Sequence, residues 1–216
     1  MKTSFFFLIL LICACSGREQ NDKDTTARTP KKLPIFYSYD SVDPKGDSVY
    51  LVIPPHKLIT HTGDSFAIDQ VKGKVVVADF FFSRCKNICP MMSSQLSRVQ
   101  RYFLDNNEVR IISYSIDPEN DSVPVLATYA QQYGTDKNRW LLLTGGKKTI
   151  YDVARTGYRL AVAPGDGGPG DFIHSEQLVL LDPKMRIRGY YDGTDSVSVD
   201  LMIGDMNLLL EEFSKK

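Results

Sequence analysis

The central motif is Phe80-Phe81-Phe82-Ser83-Arg84-Cys85-Lys86-Asn87-Ile88-Cys89-Pro90-Met91-Met92. A continuous apolar run from Val75 leads into it, and a short run of this kind predicts a buried central strand. The run stops at two cysteines four positions apart, and Pro90 then begins a helical pattern, because a proline suits the first turn of a helix. Since the residue before a proline avoids the α region, we expect Cys89 near the N-cap.

The two thiols of this motif are expected at a reactive position. They follow a predicted strand and open a predicted helix, where open α/β folds bind ligands and where thiolates are stabilised. Arg84 and Lys86 flank the first cysteine and favour thiolate over thiol. Cysteines at i and i+4 around a helix start can form a disulfide or grip one soft metal ion. An inert disulfide staple is the structural alternative, but closing so short a loop adds little stability.

Hydrophobic patterns on both sides of the motif predict further strands and helices. Upstream, residues 50–53 are a strand and residues 58–68 are two short extended pieces joined by a turn. Downstream, one face of an amphipathic helix carries Met92, Leu96, Val99 and Phe103. The next predicted elements are a strand at 109–116, a helix capped by Asp121 or Ser122 and ended by Gly134, a strand at 140–144 and a short helix at 147–155.

The C-terminal part of the chain completes the predicted fold. A glycine- and proline-rich loop at 163–171 precedes His174. A hairpin of strands at 177–181 and 186–191 follows, and then a last helix that is capped by Asp195 or Ser196 and whose apolar face includes Leu201, Met202, Met206 and Leu209. An order of βαβ followed by ββα predicts an α/β thioredoxin-like fold, with a central mixed sheet flanked by helices and an N-terminal hairpin extension.

The N-terminus predicts export and a lipid anchor. Lys2 supplies positive charge, and residues 5–12 form an apolar run that is too short to span a bilayer, as in a signal peptide. Leu11-Ile12-Cys13-Ala14-Cys15 resembles a bacterial lipobox, which implies cleavage before Cys15 and lipid on its sulfur; ordinary secretion is the alternative. We therefore expect a lipoprotein signal peptide at 1–14, a flexible tether at 15–33 and one folded domain at 34–216, exposed on the periplasmic or extracytoplasmic face of a bacterial membrane.

Composition narrows the chemistry further. The 216 residues carry a formal net charge of zero, which argues against nucleic-acid binding, and no basic stripe is present. Of the 4 cysteines, Cys13 leaves with the predicted signal peptide and Cys15 carries the predicted lipid. Only Cys85 and Cys89 remain as thiols, in an oxidising compartment.

Several motifs occur in a characteristic order along the chain. They are Gly73-Lys74-Val75-Val76, Phe80-Phe81-Phe82-Ser83, Cys85-x-x-x-Cys89-Pro90, Ser115-Ile116-Asp117-Pro118-Glu119, Trp140-Leu141-Leu142-Leu143-Thr144-Gly145, His174, Asp182-Pro183 and Arg188-Gly189-Tyr190-Tyr191-Asp192-Gly193. Together they resemble the Sco/SenC family, the copper-binding assembly factors of cytochrome c oxidase. The resemblance implies a thioredoxin-like fold and a copper site whose ligands are Cys85, Cys89 and His174.

Ligand chemistry agrees with this resemblance. Two thiolates and an imidazole suit Cu(I) and also hold Cu(II). The chain departs from the family where an acidic residue commonly precedes the histidine, because Ile173 occupies that place and the nearest acid is Asp171. It departs from thioredoxins where they carry a cis-proline, because Ser175 and Glu176 stand there. General dithiol exchange is therefore less well supported.

Five other residues need an interpretation. Met92 is expected in the core, whereas Met91 packs there too or is a transient extra ligand for Cu(I). A charge at Asp79 is expensive inside an apolar strand, so this side chain lies on a polar edge, or beneath the thiols, where it moves protons. His56 and His61 have no functional context, and we expect both on the surface.

Two functions from different classes fit these observations. The leading hypothesis is a membrane-tethered copper metallochaperone that delivers copper to the binuclear copper centre of a respiratory cytochrome c oxidase subunit. The alternative is a thiol–disulfide oxidoreductase with Cys85 and Cys89 as catalytic residues, reducing the oxidase or another exported client and served by a thiol reductant partner. The roles are compatible, because copper-binding cysteines must be reduced before loading. A peroxiredoxin-like peroxidase is a weak third, since the threonine and proline it needs do not precede Cys85.

Overall fold

A computed structural model describes residues 32–42, 48–160 and 175–214, with side chains for 32–36, 49–160 and 175–214. The predicted signal peptide at 1–14 and all but the last two residues of the predicted tether at 15–33 lie outside the described residues. The same holds for Cys15, for the glycine-rich loop at 163–171 and for His174. None of the described helices is long and apolar enough to cross a membrane.

The described chain forms thirteen strands and helices besides two short irregular helical turns. In chain order these are β1 (Tyr37–Val42), β2 (Ser48–Tyr50), β3 (Lys57–Thr60), β4 (Ser65–Ala67), β5 (Val75–Phe81), α1 (Ile88–Tyr102), β6 (Val109–Ser115), α2 (Val123–Tyr133), β7 (Trp140–Thr144), α3 (Lys147–Asp152), β8 (Gln177–Leu181), β9 (Ile187–Asp192) and α4 (Ser196–Ser214). Of the two turns, Ile68–Val71 follows β4 and Val153–Gly157 follows α3.

The central sheet is mixed, as the sequence predicts. Its seven strands run in the order β4-β3-β7-β6-β5-β8-β9. The strands β5, β6 and β7 are parallel neighbours, whereas β8, β9, β3 and β4 join antiparallel. The predicted N-terminal hairpin is β3–β4, and it extends the sheet by pairing with β7. The prediction of a thioredoxin-like α/β fold is confirmed.

Strand β5 lies at the centre of two hydrophobic cores. All seven of its residues are buried, as expected for a strand covered on both faces. Because side chains alternate along a strand, Val75, Val77 and Phe81 pack with α1, α2 and α4, while Val76, Ala78 and Phe80 pack with α3 on the opposite face.

Sequence signals place the helix ends with fair accuracy. Gly134 ends α2 with φ of 63°, a left-handed conformation that costs glycine little. The Asp195 carboxylate accepts hydrogen bonds from the backbone N–H groups of Val197 and Ser198 at 3.1 and 3.3 Å, so it caps α4 as predicted.

The prediction is wrong for one residue of the apolar face of α4. Met202, Met206 and Leu209 are fully buried, but Leu201 is 64% exposed. One residue along an α-helix is a rotation of about 100°. Leu201 therefore points away from the face that includes Met202.

This difference can be measured with neighbouring substitutions. We expect Met202→Ala to lower the free energy of unfolding by about 2–5 kcal/mol, because it opens a cavity in the core. We expect Leu201→Ala to change it by less than about 0.5 kcal/mol. Urea denaturation with an unchanged m-value measures both, and equal losses for the two variants would contradict the assigned helix face.

Candidate metal centre

The two cysteines lie where β5 ends and α1 begins. Cys85 is in the connecting loop and is partly exposed, whereas Cys89 is buried with 3% of its surface accessible. Both are free thiols. The N-cap of α1 is Asn87 and Cys89 is the second helical residue, so the prediction that Cys89 lies near the N-cap is confirmed to within two residues. Pro90 is tolerated as the third helical residue, because N–H groups of the first turn have no partner within the helix.

The two thiols differ strongly in acidity. Partial burial opposes ionisation of Cys85, but hydrogen bonds from the backbone N–H groups of Cys89, Asn87 and Ile88 and from the Cys89 thiol outweigh it and lower the pKa of Cys85. Burial raises the pKa of Cys89 to about 12, and the negative charges of Cys85 and Asp79 add to the effect. Cys85 is therefore the more acidic thiol of the pair, and Cys89 is the less acidic one.

Asp79 lies within the core on the face of β5 that packs against α1. The side chain is 1% exposed, which excludes the polar edge suggested by the sequence. Its Oδ1 accepts a hydrogen bond of 2.5 Å from Ser113 Oγ, which accepts one of 2.8 Å from Trp140 Nε1. Among the described residues, Oδ2 has no partner. Burial raises the pKa of Asp79 to about 7, although the Ser113 hydrogen bond opposes the shift.

Two acidic residues beyond the motif hold the cysteine loop. Asp117 pairs with Arg84 at 2.6 Å between Oδ2 and Nη2. Asp121 accepts hydrogen bonds from Ser83. The sequence offers Asp121 only as a possible helix cap and gives Asp117 no contact, so neither contact is predicted. A usable signal was present, because carboxyl ends of the parallel strands β5 and β6 meet at one edge of the sheet.

The prediction that His56 and His61 are surface residues is wrong. They are only 8% and 6% exposed. His56 Nδ1 donates to Pro54 O at 2.9 Å, and its Nε2 lies 3.0 Å from the hydroxyl of Tyr114. His61 Nδ1 accepts a bond of 3.3 Å from the Leu142 N–H. Burial lowers the pKa of both, so both rings are neutral. They flank β3 and have a structural role, because His56 contacts β6 and His61 contacts β7.

The remaining predicted ligands are only partly placed. His174 lies outside the described residues, and no group of three His, Cys, Asp or Glu side chains within the described ranges could hold a metal ion. Met92 is fully buried, as predicted, whereas Met91, two residues after Cys89 in the sequence, is 51% exposed. A transient role of Met91 as a ligand stays a prediction. The described part of the site thus supplies two sulfur donors, one partly exposed and one buried.

Comparison with known proteins adds a family match. The family model SCO1/SenC matches residues 44–210. A SCO1 protein homolog of Bacillus subtilis is 27% identical over 201 residues, covering 92% of this chain and 91% of the relative.

Solved structures resemble this fold closely. A SCO1/SenC family lipoprotein from Bacillus anthracis has a TM-score of 0.66 at 26% identity, covering 74% of this chain and 96% of the other. BsSco, described as having a disulfide switch and as a member of the Sco family of cytochrome c oxidase assembly proteins, has a TM-score of 0.64 at 29% identity over 74% and 94% of the two chains. Copper-bound ScoI of Bradyrhizobium japonicum shares the fold, with a TM-score of 0.60 at 22% identity over 73% and 99%.

The buried Asp79 makes a testable contribution to stability. Its pKa is about 7 in the folded protein, compared with an ordinary value of 3.8. The raised pKa means that ionised Asp79 destabilises the fold above pH 7 and that this penalty shrinks as the pH falls. From pH 8 to pH 5, we expect this group alone to add about 3 kcal/mol to the free energy of unfolding.

Asp79→Asn should remove that pH-dependent component and be more stable than the wild type at pH 8. Urea denaturation at both pH values measures it, with the exposed Asp69→Asn as the control. An unchanged pH dependence in Asp79→Asn would show that another group is responsible.

Thiol acidity predicts an order of reactivity. In Cys89→Ser, the remaining Cys85 should react with iodoacetamide near neutral pH at least about tenfold faster than the remaining Cys89 in Cys85→Ser, because only thiolate reacts. Rates of the two variants in denaturing urea serve as the control and should be similar. Equal rates in the folded proteins would contradict the assignment of the lower pKa to Cys85.

Proposed function

The chain belongs to the SCO1/SenC family, and from that premise we propose that it is a membrane-tethered copper metallochaperone. It takes copper through Cys85, Cys89 and His174 and delivers it to the binuclear copper centre of a respiratory cytochrome c oxidase. The observation that carries this proposal is the pair of free thiols at the carboxyl end of β5, one partly exposed with a lowered pKa and one buried.

The donor set suits copper as cargo. Thiolate sulfur is a soft ligand that selects Cu(I), and an imidazole added to two thiolates also accommodates Cu(II). Cys85 offers the first sulfur because its pKa is lowered and it is accessible. Loading then displaces the proton of Cys89, and Asp79 is the acid whose charge acts on that thiol. We assign to Asp79 the acceptance of this proton.

Sheet topology supports His174 as the third ligand. Strand β8 is antiparallel to β5, with Val179 opposite Ala78 and Leu181 opposite Val76. The start of β8 therefore lies beside the carboxyl end of β5, where the cysteine loop begins. Ser175, the first described residue after His174, is two positions before β8.

The anchor is part of the same proposal. A lipid on Cys15 would hold the protein on the extracytoplasmic face of a bacterial membrane. The lipobox-like sequence before Cys15 supports this, and so does the similarity to a Bacillus anthracis protein described as a lipoprotein. An anchored donor stays close to a membrane-embedded oxidase, which raises its effective concentration.

A second function has its own support. The acidic Cys85 beside a protonated, buried Cys89 is the asymmetry that a thiol–disulfide oxidoreductase needs. Cys85 thiolate would attack a client disulfide and release one client thiolate. Cys89 would then displace the second client sulfur and lose its proton, leaving the client reduced and Cys85–Cys89 oxidised. An external thiol reductant would restore the pair.

Copper titration of the reduced full chain separates the two functions. We expect one Cu(II) per chain with an intense sulfur-to-copper charge-transfer band. We expect His174→Ala to weaken binding by at least about tenfold, since even loss of a supporting group costs 10–100-fold in metal sites.

The matched control is His61→Gln, which alters a buried histidine in the neighbouring part of the sheet and should keep the copper band. Absence of stoichiometric Cu(I) and Cu(II) binding would reject the chaperone. Rapid disulfide exchange that persists in His174→Ala, without copper binding, would establish the reductase instead.

A further inference from the structure

The turn that presents Cys85 is held at both of its central residues. The Cys85 N–H donates to Phe82 O at 3.2 Å, which closes a four-residue turn with Ser83 and Arg84 in the middle. Both central residues are bound by carboxylates of one segment, residues 117–121, which follows β6. The loop that carries the Cys85 thiol therefore depends on a segment more than thirty residues away.

Asp121 makes the stronger of the two attachments. It is fully buried, and its carboxylate accepts hydrogen bonds from Ser83 N at 3.1 Å, from Ser83 Oγ and from Ser115 Oγ at 2.5 Å. The N-cap of α2 is Ser122, and its side chain makes no capping bond. Asp121 thus directs its charge to the cysteine loop and to the end of β6. Charge-assisted hydrogen bonds of this kind are about twice as strong as neutral ones.

Asp117 adds a weaker attachment through Arg84. The two side chains meet at 2.6 Å, but that of Arg84 is 62% exposed, so their ion pair contributes little energy. Asp117 is itself fixed, because Asn120 Nδ2 donates to its Oδ1 at 2.8 Å. We therefore assign the main effect to Asp121.

We propose that Asp121 is a positioning residue for Cys85, holding its sulfur at the spacing from Cys89 at which both bind one copper ion. The proposal rests on the proposed function. Cys89 is fixed by α1 itself, whereas Cys85 lies in the loop and depends on the turn. A disulfide requires the two sulfurs to close to about 2.05 Å. A turn released from Asp121 lets Cys85 make that approach more easily, so disulfide gains at the expense of the metal-binding pair.

Asp121→Asn and Ser83→Ala in the full chain test this from the two sides of the contact. We expect each to release copper about tenfold faster to a chelator, the effect of losing roughly one charge-assisted hydrogen bond, and to alter the charge-transfer band. Combining them should add little to either single change, because both remove the same contact.

Asp182→Asn is the matched control. Asp182 is also fully buried and hydrogen-bonded, but it lies at the β8–β9 turn, at the opposite end of β5 from the cysteines. The Asp182→Asn substitution should lower the melting temperature without changing the rate of copper release. The positioning role is overturned if Asp121→Asn behaves in the same way, losing thermal stability alone.

A copper-free measurement separates this inference from the proposed function. In a glutathione buffer, the Cys85 and Cys89 thiols give two electrons and two protons to glutathione disulfide and become a disulfide, while two glutathione molecules form. We expect Asp121→Asn and Ser83→Ala to shift this equilibrium several-fold toward the protein disulfide. If the wild type binds no copper, the proposed function fails, but such a shift in the variants still supports the positioning of Cys85 by Asp121. If the variants reach the same thiol–disulfide equilibrium as the wild type, the positioning role is overturned.

Discussion

Parallel hydrogen bonding between β5 and β6 is the constraint on which the site depends. It aligns Phe81 with Ser115, so both strands end at the same edge of the sheet. The cysteine loop leaves β5 there, and the acidic segment that holds it leaves β6. On the other side of β5, the antiparallel β8 begins at the same edge, bringing the chain that follows His174 toward the thiols. Three segments distant in sequence thus converge through strand pairing alone.

Two buried carboxylates near this edge show how environment decides the role of a side chain. Asp121 has three hydrogen-bond donors from Ser83 and Ser115, which replace the water that it loses on burial. Asp79 has one donor, Ser113, and an unpartnered Oδ2 among the described residues. Burial is compensated in the first case and raises the pKa to about 7 in the second. One acid is therefore suited to hold a loop, and the other to exchange a proton.

The sequence predicts what depends on local pattern. The apolar run gives β5, the spacing of Met92, Leu96 and Val99 gives the buried face of α1, and Gly134 gives the end of α2. The sequence does not predict contacts between residues that are far apart along the chain. His56 is buried because it meets Tyr114, 58 residues away, and His61 because it meets Leu142, 81 residues away. Asp121 has the pattern of a helix cap, and only the pairing of β5 with β6 reveals its contact with Ser83.

The unequal thiols connect the two candidate functions. In the two proposed functions, copper loading and disulfide formation both begin at Cys85, the more acidic thiol, and both require Cys89 to give up its proton. Ionising Cys89 is costly, because it is buried and already faces the charge of Cys85. Loss of the Cys89 proton is therefore the more costly of the two ionisations. A soft cation offsets the charge that accumulates on the two sulfurs, and a disulfide bond removes it. The same asymmetric pair therefore suits both proposed functions, and in the positioning role proposed for Asp121 the spacing that the loop imposes between the sulfurs decides which of the two is favoured.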